Sequence, residues 1–147
     1  MALTLALLTL LAFDPLPLEQ TPWTLRSLTL PGQETFTLGP RLPRPTLRLG
    51  PTRFTGHTGC NAISGQATWD GGRLTLRVQH QTSLPCPDHL LSLEADFLRL
   101  LQGPLRPELQ GRTLTLSGEE RGRLVFGAPG FSSSGPDVLT PEAGRGD

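Results

Sequence analysis

The side chains with the richest chemistry in this chain are two cysteines and their histidine neighbours. Cys60 is preceded at three residues by His57, and Cys86 is followed at three residues by His89. Three readings of the sulfurs are open. A disulfide would close a loop of roughly 25 residues and contribute on the order of 3 kcal/mol. Two unlinked thiols would behave as small apolar core residues. Zinc would use His57, Cys60, Cys86 and His89 together, a His/Cys/Cys/His set with the ligand number of a structural site. Local geometry opposes the metal, because residues three apart in a strand face opposite sides unless Gly59 bends the chain. Cys60 could also serve as a nucleophile with His57 or His80 as its base, but no third group is placed to orient such a pair.

Around the first cysteine, Gly56, Gly59 and Gly65 fall within ten positions, and Asn61 follows Cys60 directly. Glycine at that density predicts a tight turn or a bulge. Asn61 reads as a turn residue that tolerates positive φ or bonds its own backbone. The spacing of Gly56 and Gly59 lacks the Lys and the following helix of a phosphate loop, so no nucleotide site is expected. No cofactor is expected either.

The elements that must position these groups can be read in order. Residues Asp14 to Pro22 are proline-rich and form a linker. Trp23 to Leu30 is a first strand, ended by Pro31-Gly32. Leu38 to Pro45 is a loop or a poorly paired edge. Thr46 to Leu49 alternates, and Arg53 to Gly56 and Ile63 to Trp69 flank the glycine-rich turn as a hairpin. Asp70-Gly71-Gly72 then turns the chain into Arg73 to His80, the clearest alternation in the sequence. Asp88 is placed to cap a helix over about residues 88–102. Its apolar stripe is Leu90, Leu93, Phe97, Leu100 and Leu101, widened by Leu91, Ala95 and Leu98. Glu94, Asp96, Arg99 and Gln102 take the other side, and Gly103-Pro104 stops it. Leu105 to Leu109, Thr113 to Leu116 and Leu124 to Phe126 are further strands, with a turn at Gly118 to Gly122. Both tryptophans, Trp23 and Trp69, are assigned to the core. Strands, one helix and more strands predict an α+β domain: a curved antiparallel sheet or partial barrel packed against a single helix.

A chain of 147 residues holds one such domain. Its expected extent is residues 21–127, after an apolar N-terminal segment (1–20) and before a disordered tail (128–147). Thirteen arginines, with no lysine, balance thirteen acids. That scatter lacks the basic footprint of a nucleic-acid binder. Ala2 to Phe13 is an uncharged apolar run too short to span a bilayer as a helix, and it suits the core of a signal peptide. No basic residue precedes it and no cysteine follows for lipid attachment.

The residues resemble the META domain, also called the HslJ-like domain. The likeness runs from Trp23-Thr24-Leu25 with Leu28, through Gly56, Gly59-Cys60-Asn61 and Gly65, to Thr82 with Cys86. It continues in Glu94 and Phe97, Leu109 with Gly111, Leu114 and Leu116, and Leu124 to Phe126. The resemblance implies a small α+β module without established enzymatic activity, exported or lipid-anchored in bacterial envelopes and linked to stress tolerance. The expected partner is an unidentified protein or envelope component, and the expected location is extracytoplasmic.

Overall fold

The computed structural model describes residues 18–130. In chain order the elements are β1 (Trp23–Thr29), β2 (Phe36–Thr37), β3 (Thr46–Leu49), β4 (Arg53–His57), β5 (Ala62–Asp70), β6 (Arg73–Gln81), α1 (Asp88–Leu101), β7 (Pro104–Gln110), β8 (Thr113–Gly118) and β9 (Gly122–Gly127). The strands form one curved antiparallel sheet in the order β2-β1-β3-β4-β5-β6-β7-β8-β9, and β1 pairs in addition with β9. This is the α+β arrangement expected from the sequence.

The curvature depends on β1, which serves three neighbours. Trp23 and Thr24 pair with Leu47 and Thr46 of β3, while Ser27 and Leu28 pair with Thr37 and Phe36 of β2. Thr24 through Thr29 pair with β9, across a bulge between Leu25 and Ser27. The β1–β3 and β6–β7 joints are each only two residue pairs wide, so the sheet is a partial and not a closed barrel. Strands built from Leu and Thr hold because their alternation is strict: Leu74 and Leu76 of β6 are buried while Arg73, Thr75 and Arg77 are exposed.

Helix α1 lies across the concave side. Leu93, Phe97, Leu100 and Leu101 join the core formed by Trp23, Phe54, Leu114, Leu124 and Phe126. Burial of each such side chain is worth about 2 kcal/mol. Phe97 meets Phe126 edge to face, with centroids 6.3 Å apart. The helix stops at Gln102, and Gly103 takes φ +81°, the left-handed conformation that favours glycine after a helix end.

Several expectations need correction. Glu94 is buried, whereas Leu91 is 40% exposed and Ala95 is exposed. Pro87, not Asp88, is the N-cap, and its carbonyl accepts from the amides of Leu90 and Leu91. Asp88 contributes only its charge to the first turn. Phe36–Thr37 is a short strand at the sheet edge, missed because two residues carry no period. Trp23 is fully buried, but Trp69 is half-buried and donates its Nε1–H to the Gly50 carbonyl at 3.0 Å.

The boundaries extend further than the expected 21–127. Gln20 donates its amide to Leu49, Leu18 accepts from Trp23 Nε1, and Ala128 is buried with its amide on the Arg112 carbonyl. The apolar run Ala2 to Phe13 and residues 131–147 of the expected tail lie outside the described residues.

Candidate functional site

The hairpin of β4 and β5 ends in Thr58-Gly59-Cys60-Asn61, closed by the Thr58 amide on the Asn61 carbonyl at 2.8 Å. Gly59 adopts φ +97°, which a residue with a side chain rarely takes, so the expected bend is present. The second expected device is also present. Register between β5 and β6 shifts at Ser64/Gly65, and Gly65 lies so close to the Arg77 carbonyl oxygen that no Cβ would fit.

Thr58, fully buried, organises the turn. Its hydroxyl oxygen accepts from the amides of Cys60 (3.1 Å) and Asn61 (2.8 Å) and donates to Glu94 Oε2 at 2.7 Å. The same carboxylate oxygen accepts from Asn61 Nδ2 at 2.8 Å. Two neutral donors thus hold a carboxyl group that α1 brings under the turn, the arrangement a buried carboxylate requires.

Asn61 is not a positive-φ residue and does not bond its own backbone through its side chain. Its Nδ2 reaches Glu94 and the Cys60 sulfur (3.3 Å), and its Oδ1 accepts from the Thr82 hydroxyl (3.0 Å) and the Leu84 amide (2.7 Å). Both amide hydrogens and both carbonyl lone pairs are therefore engaged. The Thr82 hydroxyl in turn accepts from the Ala62 amide at 3.0 Å. One side chain joins the β4–β5 turn, the segment after β6 and the helix.

Beside this cluster Cys60 and Cys86 are joined as a disulfide, with Cα atoms 6.1 Å apart. The bridge ties the turn to the residue two positions before the helix. His57 and His89 are not drawn to it as a ligand set. His57 is exposed and its Nδ1 accepts from the Gly59 amide at 3.0 Å, while His89 is exposed on the first turn of α1. Among the described residues no group of three or more His, Cys, Asp or Glu side chains is arranged to hold a metal ion. His80 lies on β6 opposite Ser64 and is exposed. The sequence places Glu94 on the polar side of the helix, and the structure buries it. Its spacing of four from Leu90, three from Phe97 and seven from Leu101 places it on the buried stripe, and only its charge argued otherwise.

The site is thus a set of cross-braces in which sulfur, amide, hydroxyl and carboxyl groups face one another. Together with the fold, this defines a small α+β domain with a curved antiparallel sheet, one helix and a disulfide-braced turn. The META domain family model matches residues 16–129, and the chain belongs to that family. An NMR structure of a protein from Burkholderia xenovorans is similar, with a TM-score of 0.64 and 19% identity over 82% of this chain and 94% of that one. A second NMR structure has a TM-score of 0.56 and 19% identity over 79% of this chain and 95% of that one. At that identity the likeness is one of fold. No curated protein matches the sequence. Among the described residues no helix is long and apolar enough to cross a membrane.

Proposed function

We propose that this META domain protein is a non-catalytic module of the cell envelope, which serves stress tolerance by holding a partner or supporting an assembly. The observation that carries the reading is the Cys60–Cys86 disulfide set into the buried Thr58–Asn61–Glu94 cluster. Bonds of this kind persist in oxidising compartments and are reduced in the cytosol. The sulfurs hold each other, and the carboxyl and amide beside them hold the turn. The chemistry at this site is spent on shape. The stress role follows from the family resemblance.

The test is fractionation of the native host followed by maleimide labelling before and after reduction. The expected outcome is protein in the envelope or secreted fraction, with both cysteines unreactive until reductant is added. Protein in the cytosolic fraction with freely labelled cysteines overturns the reading.

A further inference from the structure

A second feature of α1 lies on a different stripe from the buried Glu94. His89, Ser92, Leu93 and Asp96 recur at spacings of three and four, so they share one face. That face forms one wall of a cleft of about 300 Å³, whose other wall is the end of β1, the chain running through β2, and Leu42 of the β2–β3 connection. Leu28, Leu30, Phe36 and Leu42 meet Leu93 across it. Phe36 is 48% exposed although its ring is large and apolar, and it belongs to a strand of two residues. A solvated Phe on an edge this short does little for the sheet, but it extends the apolar wall of the cleft.

The charge of the lining is one-sided. Glu34 of the β1–β2 connection and Asp96 of the helix both line the cleft, so each wall carries an acidic residue. Among the described residues are twelve arginines, and none of them lines the cleft. An apolar floor between two carboxylates complements a ligand with an apolar body and a positive end, and it repels an anion of the same shape. As for size, a cavity of roughly 150 Å³ accommodates one benzene ring. Twice that volume takes two fused rings, or an alkyl chain of equal bulk.

We propose that this cleft binds a small hydrophobic cation, with its apolar part against Leu28, Phe36, Leu42 and Leu93 and its ammonium or amidinium group between Glu34 and Asp96. The inference stands on the cleft alone and needs neither the envelope location nor the stress role. His89 and Ser92 add hydrogen-bonding side chains to the lining.

The test titrates the isotopically labelled full chain, at neutral pH, with three probes sharing one ring system: 1-naphthylmethylammonium, 1-naphthylmethanol and 1-naphthoate. The cation is expected to shift the amides of Glu34, Phe36, Leu93 and Asp96. It should bind roughly tenfold tighter than the anion, the size of one or two partly exposed ion pairs exchanged for repulsion. Asp96→Asn should remove most of that preference and leave the neutral probe unchanged. Phe36→Ala should weaken all three, and the half-exposed ring makes loss of the fold no part of that result. Equal affinity for cation and anion overturns the proposal, as do shifts mapping elsewhere or no binding of any probe. Concentration-dependent shifts of the same amides without probe, with a dimer in sedimentation, also overturn it by giving the cleft to a second copy of the chain.

Discussion

Replacing both cysteines, as Cys60→Ala with Cys86→Ala, isolates what the bridge contributes. The bonded residues are 26 positions apart. Cross-linking a loop of that length removes about 12 cal/mol/K of chain entropy from the unfolded state, or about 3.5 kcal/mol at 25 °C. On the native side little should change. Asn61 already holds Leu84 at 2.7 Å and Thr82 at 3.0 Å, so the loop ends meet without the sulfurs. The loss therefore sits almost wholly in the unfolded chain. For a domain of about 110 residues, unfolding near 60 °C gains roughly 2.1 cal/mol/K per residue, so the Tm should fall by about 15 °C. The assay is thermal and urea unfolding of wild type and double variant, each with and without reductant. Reduced wild type should melt with the double variant, and the variant should ignore reductant. Its urea m-value should rise, because a chain without a cross-link exposes more surface. A double variant that melts within a few degrees of oxidised wild type refutes the entropic account. So does an unchanged m-value with a large loss, which would place the effect in the native state.

Two further substitutions test the polar brace and the bulge. Asn61→Ala leaves the Leu84 amide and the Thr82 hydroxyl without an acceptor and removes one donor from Glu94. It should cost about 2–4 kcal/mol in equilibrium urea unfolding, and a loss under about 1 kcal/mol means water replaces the amide. Gly65→Ala sets a methyl group against the Arg77 carbonyl, a backbone atom that cannot swing aside. It should cost about 3 kcal/mol by the same assay, with hydrogen exchange rising along β5 and β6; an unperturbed exchange pattern there contradicts the close approach.

What the sequence disclosed follows from how local each signal is. The hairpin around Gly59, the turn at Gly71 and the alternation of Arg73 to His80 each rest on a few adjacent residues, and each is present in the structure. The pairing of Cys60 with Cys86 was one of three open readings, since spacing alone does not bring two chain segments together. Glu94 and Asn61 were misplaced for a related reason. A carboxylate is normally solvated and an Asn after a Gly-Cys pair normally serves its own turn, until a distant segment supplies Thr58, Thr82 and Leu84 as partners. The division of β1 among three strands has no sequence signature, because register depends on partners dozens of positions away.

That division has a mechanical consequence. Thr24 of β1 stands opposite Gly127 of β9, and Thr29 stands opposite Arg123. The polypeptide therefore enters and leaves the domain at the same end of one antiparallel pair. Tension applied through its two flanks would first load the outer ties of Gln20 to Leu49 and Ala128 to Arg112, then the β1–β9 rungs one after another, peeling the pair like a zipper instead of shearing all rungs at once. The disulfide lies between β4 and the helix and takes no part of that load. A domain anchored at one flank and pulled at the other would open at β1–β9 under low force, with the segment between the sulfurs still linked.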